Sequence, residues 1–188
     1  MRRRKWRWLW LLVAVALVIV GLRVAIPHFL RAVYPDTYRA EVLAAAEQYD
    51  LPPSLIFGII HTESGFDPAA RSKAGALGLM QVTEPTMEWA LMRSGVSAVP
   101  PVEQLTDPAF NIGIGSRVLV LLGEQFSNED TVLAAYNGGM GNVREWLSDS
   151  RYSADGVTLH TIPFEETENY VKKVRFAQKM YQKLYDLP

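Results

Sequence analysis

Residues 54–83 read SLIFGIIHTESGFDPAARSKAGALGLMQVT, and a lone carboxylate, Glu63, closes the apolar helical run that begins this stretch. The apolar side chains before it are Leu55, Ile56, Phe57, Ile59 and Ile60. Burying an ionised carboxylate beside such side chains costs free energy unless it is paired, and protonation removes that cost. A carboxylate that only decorated the end of a helix would face the unfavourable end of the macrodipole. We therefore expect the pKa of Glu63 to be raised to about 6, which makes it a usable general acid.

The residues after this helix predict a turn-rich loop that a ligand can approach. Ser64-Gly65 can end the helix, and Asp67-Pro68 favours a turn. Glycines at positions Gly75 and Gly78 let the backbone come close to a ligand. The amide of Gln81 can both donate and accept hydrogen bonds. This loop is therefore the first candidate for a binding surface.

Two other titratable side chains lie near Glu63 in the sequence, and neither is predicted to share its chemistry. Asp67 stands directly before a proline, where a carboxylate is more often a turn or cap residue than a nucleophile. His61 lies two residues before Glu63, and residues two apart on a helix do not share a face. We interpret Asp67 as a turn residue and His61 as a surface or packing residue.

Composition excludes several classes of function. The 188 residues include no cysteine, so disulfides, thiol nucleophiles and cysteine-ligated metals are excluded. The three histidines and the acids lack metal-ligand spacing, so we predict no metal and no cofactor. Six of the 19 basic residues lie within the first 23 positions, and all 20 acidic residues follow residue 35. The remainder is net acidic, which argues against nucleic acid as a partner.

The N-terminus predicts a membrane anchor. Residues 1–26 combine a basic start with an apolar run, and residues 8–26 are long enough to span a bilayer with a snorkelling arginine. A cleaved signal peptide has the same two regions and is the alternative, although the sequence lacks a good cleavage site. Residues 27–37 are predicted to be a linker and residues 38–188 the functional domain. Positive-inside bias places the N-terminus in the cytoplasm and the domain outside.

Apolar residues at helical spacing predict an almost entirely α-helical domain, with at most a minimal β element. The Asp107-Pro108 pair is predicted to cap one helix. The stretch 94–106, which contains Pro100-Pro101, is predicted to be loop. The predicted helices cover residues 37–49, 53–63, 83–93, 107–126, 130–136, 143–147 and 165–185.

Five motifs occur in an order that resembles a known family: ESGFDP (63–68), SKAGALGLMQ (72–81), NIGIGSRVL (111–119), AAYNGG (134–139) and IPFEETENYV (162–171). Over about residues 38–185 they are similar to the catalytic domain of soluble-type (SLT) lytic transglycosylases. The resemblance implies a lysozyme-like helical fold and an enzyme of cell-wall remodelling, a peptidoglycan lytic transglycosylase. Such enzymes cleave the β-1,4 bond between MurNAc and GlcNAc without water and leave 1,6-anhydro-MurNAc ends.

The resemblance also implies a role for each matching residue. Glu63 matches the residue that protonates the glycosidic oxygen and then acts as base toward the muramoyl 6-hydroxyl, so that the substrate supplies the nucleophile. Tyr136 matches a tyrosine that hydrogen-bonds this carboxyl. Ser72 matches a serine that positions the glutamate or the sugar. The full set expected to bind substrate or to support Glu63 is Ser72, Gly78, Leu79, Met80, Gln81, Tyr136, Asn137, Glu166 and Tyr170.

One departure from the family concerns the residues after the glycine-rich loop. Many members read Met-Gln-aliphatic-Met-Pro there, whereas this chain continues from Gln81 with Val82, Thr83 and Glu84. We therefore expect a methionine wall of the sugar site to be absent, with consequences for fine glycan specificity.

The expected partners follow from the resemblance and from the anchor. They are peptidoglycan glycan strands and the cytoplasmic membrane through residues 8–26, with cell-wall synthesis or envelope-assembly proteins as further candidates. We expect a single-pass protein of the cytoplasmic membrane whose catalytic domain is extracytoplasmic. Two alternatives stay open: a goose-type lysozyme relative that cleaves with water, and a non-catalytic peptidoglycan-binding module of the envelope.

Overall fold

A computed structural model describes the backbone of residues 2–188 and the side chains of residue 10 and residues 15–188. The chain forms two units, one that ends at Asp36 and one that comprises Thr37–Pro188. All five motifs lie between residues 63 and 171, within the second unit. The candidate site is therefore built from this unit.

The first unit contains one long helix, α1, from Arg2 to Val33. Within it, Val15–Val33 is a 19-residue stretch that is apolar and long enough to cross a membrane, and none of it is buried; an N-terminal signal sequence passes the same test. Part of the expected span 8–26 involves side chains outside the described residues. Residues 27–33, which belong to the segment expected as linker, continue the helix past Pro27, which removes a single helical hydrogen bond.

The second unit confirms the all-α prediction. Its helices are α2 (Arg39–Tyr49), α3 (Pro53–Glu63), α4 (Glu84–Arg93), a 3-10 helix (Val102–Thr106), α5 (Pro108–Gly123), α6 (Glu129–Gly138), α7 (Met140–Ser148) and α8 (Glu165–Tyr185). The minimal β element consists of two antiparallel bridges, which pair Leu77 with Arg71 and with Val82. Each predicted helix is present, and most boundaries agree within about two residues.

The 3-10 helix is a difference from the prediction, since it lies in the stretch 94–106 expected as loop. The proline pair ends directly before it, and Pro101 stands at its N-cap. Leu105 within it is fully buried, and Thr106 donates a side-chain hydrogen bond to the Glu103 carbonyl oxygen at 2.8 Å. Burial of one leucine thus tightens this segment into a turn of helix.

Side-chain caps fix the starts of the two helices that follow. The Asp107 carboxylate accepts a hydrogen bond from the Phe110 amide at 2.8 Å, as the Asp-Pro pair predicts. The Asn128 side chain accepts one from the Thr131 amide at 3.0 Å and begins α6. Such caps each stabilise a helix by about 1 kcal/mol, and here they set the direction of two elements that face the site.

The packing of α3 against α8 positions the candidate acid. Every residue of α3 from Pro53 to Ile60 is buried, so this helix is an interior element with Glu63 at its end. Gly58 permits the close approach: a Cβ there would lie 3.0 Å from the Val174 carbonyl oxygen. Phe57 stacks on Tyr181 of α8 with ring centres 5.0 Å apart. The end of α3 is therefore held rigidly beside α8.

Candidate active site

Glu63 is the last residue of α3, and its half-buried side chain lies where the interior helix meets the turn-rich loop. Burial raises the pKa of Glu63 from 4.5 to about 7, and a hydrogen-bonding contribution from Tyr170 opposes part of this rise. The direction agrees with the expectation from the sequence. A carboxyl whose pKa lies near neutrality can both give a proton and take one back.

Two tyrosine hydroxyls accompany the Glu63 carboxyl. Burial is the main cause that raises the pKa of Tyr136 and of Tyr170 well above the usual value, and the charge of Glu63 raises both further. Both phenols therefore lie within electrostatic reach of the carboxyl. The Tyr136 hydroxyl donates a hydrogen bond to the Met80 carbonyl oxygen at 2.9 Å.

The Tyr170 hydroxyl, unlike that of Tyr136, makes no well-aligned hydrogen bond with a described residue. Tyr170 is 6% exposed, and no described residue meets its hydroxyl in full hydrogen-bond geometry. Its effect on the Glu63 pKa nevertheless identifies the carboxyl as its neighbour. Catalytic hydrogen bonds are often poorly aligned without substrate and tighten when it binds. The Tyr170 hydroxyl is thus a neighbour of the carboxyl without an aligned hydrogen bond to it, and the Tyr136 hydroxyl, which the resemblance assigns to that contact, donates to the Met80 carbonyl oxygen here.

The segment 77–82 forms the wall of the site next to these groups. Ser64, directly after the acid, donates a hydrogen bond from Oγ to the Leu79 carbonyl oxygen at 2.8 Å. Leu79 and Met80 are themselves fully buried. Their side chains therefore pack in the core, and these two residues shape the site through the position of their backbone. The sequence did not single out Ser64 for this fastening.

Asn111 on α5 holds the same segment from the other side. Its fully buried side chain accepts a hydrogen bond from the Met80 amide at 2.7 Å and donates to the carbonyl oxygens of Leu77 (2.9 Å) and Leu105 (2.8 Å). Asn111 begins the motif NIGIGSRVL, although no role is predicted for it from the sequence. Its signal was available: it is polar and lies three and seven residues before Ile114 and Val118, on an apolar helix face.

Two glycines make this fastening sterically feasible. Gly78 has a φ of +75°, and a Cβ there would lie 2.2 Å from the Leu105 carbonyl oxygen and 2.4 Å from Asn111 Nδ2. Gly115 on α5 faces Met80, whose Sδ would lie 2.5 Å from an added Cβ. The glycine inside α5, unfavourable by helix propensity, is therefore explained by close packing under the site.

Gln81 and Ser72, both expected at the site, brace the loop. Gln81 adopts a φ of +48°, and its Nε2 donates to the carbonyl oxygens of Gly78 (2.9 Å) and Ala70 (3.2 Å). Among the described residues its Oε1 has no partner. Ser72 is exposed, and its Oγ accepts a hydrogen bond from the Ala76 amide at 3.0 Å. The contacts of Ser72 are thus within its own turn.

The remaining expected residues lie on the helices that carry the tyrosines. Asn137 is half-buried and directly follows Tyr136 on α6. Glu166 is exposed in the first turn of α8, four residues before Tyr170 and so on the same side of the helix. The structure therefore gathers Glu63, the segment 77–82 and the two tyrosines, with Asn137 and Glu166 on their flanks.

The two titratable neighbours of Glu63 lie as the sequence predicts. Asp67 is exposed and accepts a hydrogen bond from the Ala69 amide at 2.9 Å, which closes its own turn. His61 is half-buried, and its ring lies 6.3 Å from that of Tyr181 and 6.5 Å from that of Phe66. Burial lowers the pKa of His61, in keeping with a packing residue.

The chain matches the family model described as "Transglycosylase SLT domain" over residues 41–157. The match covers more than half of the chain and includes Glu63, the segment 77–82 and Tyr136. The chain belongs to this transglycosylase SLT family.

Solved structures of lytic transglycosylases have a similar fold. An inactive glutamate-to-glutamine mutant of Slt from Pseudomonas aeruginosa is 38% identical, with a TM-score of 0.71 over 81% of this chain and 25% of that chain. The 70 kDa soluble lytic transglycosylase from Escherichia coli is 30% identical, with a TM-score of 0.73 over 83% of this chain and 26% of that chain, and its complex with bulgecin A matches equally. The chain thus spans about a quarter of the length of these relatives, and the lysozyme-like fold is confirmed.

Proposed function

We propose that the chain is a peptidoglycan lytic transglycosylase that cleaves the β-1,4 bond between MurNAc and GlcNAc and leaves 1,6-anhydro-MurNAc ends. The observation that carries the proposal is a single half-buried carboxyl, Glu63, with a pKa of about 7 and two tyrosine hydroxyls nearby. Membership of the SLT family supports it, as does the inactivity of a glutamate-to-glutamine mutant in the Pseudomonas aeruginosa relative.

In the first step Glu63 acts as general acid. The protonated carboxyl gives its proton to the glycosidic oxygen, the bond from that oxygen to C1 of MurNAc breaks, and GlcNAc leaves with a free 4-hydroxyl. Positive charge develops at C1 as negative charge develops on Glu63. The Tyr170 hydroxyl would stabilise the ionised carboxyl, because its presence beside Glu63 lowers the pKa of that group.

In the second step the same group acts as base. The Glu63 carboxylate takes the proton of the muramoyl 6-hydroxyl, and O6 bonds to C1 to close the anhydro ring. Glu63 is then protonated again, and water is not consumed. Because the nucleophile belongs to the substrate, orientation replaces a protein nucleophile. In the part of the chain that the structure describes, no second carboxylate contributes to the Glu63 pKa, which supports this assignment.

The supporting residues would act on the sugar and on the shape of the site. The free Oε1 of Gln81 is available to a glycan hydroxyl, since its Nε2 is committed to the loop backbone. Ser72, Asn137 and Glu166 provide polar groups around the cleft. Gly78, Leu79 and Met80 set the wall through their backbone, and Tyr136 ties that wall to α6.

The proposal extends to location. α1 would anchor the protein in the cytoplasmic membrane with its N-terminus inside, and residues 38–188 would lie outside, where peptidoglycan is found. The exposed apolar stretch Val15–Val33 supports this placement. A carbonate-washed membrane fraction should retain the intact chain, whereas recovery of a soluble chain without its first 26 residues would identify a signal peptide and leave the enzymatic proposal untouched.

The proposed reaction is tested by the mass of its products. Purified sacculi are incubated with the full chain in detergent, and the released muropeptides are measured by mass spectrometry. We expect ends that lack one water relative to hydrolysis products. Products that contain that water would establish the goose-type hydrolase, and a folded chain that binds sacculi without releasing any product would establish the non-catalytic module.

A further inference from the structure

The solvent face of α8 carries a row of side chains that the proposed reaction does not use. We call it the lysine stripe, and it consists of Lys172, Phe176, Lys179 and Lys183. Their spacing of four, three and four residues places them on one face of the helix. All four are exposed, and the Phe176 ring is 60% exposed in the middle of the cations. The lysine stripe thus places one exposed aromatic ring between cations on a single helix face.

The charge of this stripe is largely available to a partner. Lys172 is paired with Glu168 at 2.7 Å, whereas no described carboxylate lies within ion-pairing distance of Lys179 or Lys183. The nearest acids on α6, Glu129 and Asp130, are held by Arg175 at 2.7 and 2.5 Å. A groove of about 750 Å³ runs beside the stripe between these groups. The stripe therefore presents net positive charge around one apolar ring.

The chain connects this face of the domain to α1 through a short segment. The end of α8 lies at the start of the domain, since the Arg39 guanidinium is 6.0 Å from the ring centre of Tyr185. Residues 34–38 are the only residues between α1 and α2. Five residues reach at most about 18 Å. The C-terminal part of the stripe therefore lies beside the start of the domain, and five residues connect that start to α1.

We propose that the lysine stripe docks the domain on the anionic phospholipids of the membrane that holds α1, an inference that rests on the proposed anchor. Lysines near an anionic leaflet are attracted by its surface potential, and an aromatic between them enters the boundary between headgroups and acyl chains. The apolar ring favours a lipid surface over an anionic polymer, which offers no such boundary. Docking would fix the height and orientation of the cleft above the membrane.

The experiment uses the full chain in vesicles. Because the chain contains no cysteine, one introduced cysteine can be labelled specifically. A single Gln182→Cys, on the groove beside the stripe, carries a polarity-sensitive fluorophore, and Ser97→Cys in the loop after α4 is the matched exposed control. Each is reconstituted in phosphatidylcholine alone or with phosphatidylglycerol. We expect the label at position 182 to shift to the blue and to be protected from acrylamide only in the anionic vesicles, with reversal by salt, and the label at position 97 to stay accessible in both.

Variants of the stripe test the same proposal. Lys179→Glu combined with Lys183→Glu should abolish the protection, because each lysine neutralised near an anionic surface lowers the docking equilibrium about fivefold. Phe176→Ser should weaken it without removing the salt dependence. Equal exposure of the label in both vesicle types, in a chain that is retained by the vesicles and releases muropeptides, would overturn docking alone. A chain that the vesicles do not retain would overturn the anchor and docking with it.

Discussion

The helix α8 has two faces whose residues follow the same spacing, and one face is buried whereas the other is exposed. Tyr170, Val174, Ala177 and Tyr181 form its inner face, and all are buried. The lysine stripe lies two residues further along at each step, about 200° around the helix, and is exposed. The inner face holds α3 and acts on Glu63, whereas the outer face touches little of the domain. One helix thus separates a position-critical region from a surface whose role depends on a partner.

The two sides differ in how many of their polar groups are hydrogen-bonded or ion-paired within the domain. On the inner side, Ser64, Asn111 and Tyr136 each tie the segment 77–82 to a different helix through hydrogen bonds of 2.7–2.9 Å. On the outer side, the cations of Lys179 and Lys183 have no described carboxylate partner. A change to the inner region should therefore alter folding or catalysis, and a change to the outer one should alter neither. Substitutions on the two sides test that division.

Glu63→Gln should remove nearly all glycan cleavage. The amide has almost the same shape but cannot donate a proton as an acid, and general acid–base catalysis contributes about 10²–10⁴-fold, with more lost when one group serves both steps. Turnover of sacculi is measured with Glu47→Gln, an exposed glutamate on α2, as the matched control. Cleavage by a folded Glu63→Gln protein at the rate of this control would remove the basis of the proposed mechanism.

Asn111→Ala should destabilise the domain by about 3 kcal/mol, since it leaves one buried amide and two buried carbonyl groups without their partner. The free energy of unfolding is measured by denaturant titration. Asn128→Ala removes only a helix cap and should cost about 1 kcal/mol. Equal losses in the two variants would show that the segment 77–82 is not held by Asn111.

The sequence predicted much of this inner region, but not the hydrogen bonds that hold the segment 77–82 in place. Apolar periodicity located the α-helices of the second unit, and the isolated Glu63 after an apolar run indicated both the acid and the direction of its pKa. The hydrogen bonds of Asn111 and Ser64 join residues 31–34 and 15 positions apart, and no local propensity encodes such contacts. The hydrogen bond from Tyr136 to the Met80 carbonyl oxygen likewise depends on how α6 packs in the domain.

For the lysine stripe and for α1, the sequence pattern is compatible with more than one structure or role. The stripe is regular in the sequence, but a lysine row on a helix is compatible with plain solvation, so its spacing alone predicts no partner. In α1, Pro27 suggested an end to the helix, yet the helix continues to Val33. A proline weakens a helix by a roughly fixed amount, and its neighbours decide whether the helix ends there.

Glu63→Gln should also stabilise the folded domain at alkaline pH. The folded pKa of about 7 lies above the ordinary value of 4.5, so the native state binds more protons than the unfolded state between these values and loses stability as the pH rises through them. The full penalty is present above pH 7 and is about 3 kcal/mol as an upper figure. Denaturant titrations should give the variant a higher free energy of unfolding than the wild type at pH 8 and the same value at pH 4. A constant difference across this range would contradict a raised Glu63 pKa.

Tyr170→Phe should move the pH dependence more than the stability. Its hydroxyl lowers the Glu63 pKa, so its removal should raise that pKa above about 7 and shift the alkaline decline of kcat/KM to higher pH. Because this hydroxyl has no well-aligned partner among the described residues, the free energy of unfolding should not fall. Tyr136→Phe is the matched control: it loses the bond to Met80 and should cost about 1 kcal/mol. The reverse assignment of the two effects would show that Tyr136 is the partner of the carboxyl.

Reversal of charge on the stripe should have the smallest effect on the domain itself. Lys179→Glu with Lys183→Glu changes two exposed side chains that make no described ion pair, and surface substitutions of this kind usually stay within about 0.5 kcal/mol. Cleavage of short soluble glycan strands in detergent should be unchanged, because no membrane is present and both residues lie on the face opposite Tyr170. On the inner face, Val174→Ala truncates a fully buried side chain and should cost about 2 kcal/mol. Loss of soluble turnover in the double lysine variant would mean that the outer face contributes to the reaction, and the division of α8 into two independent faces would fail.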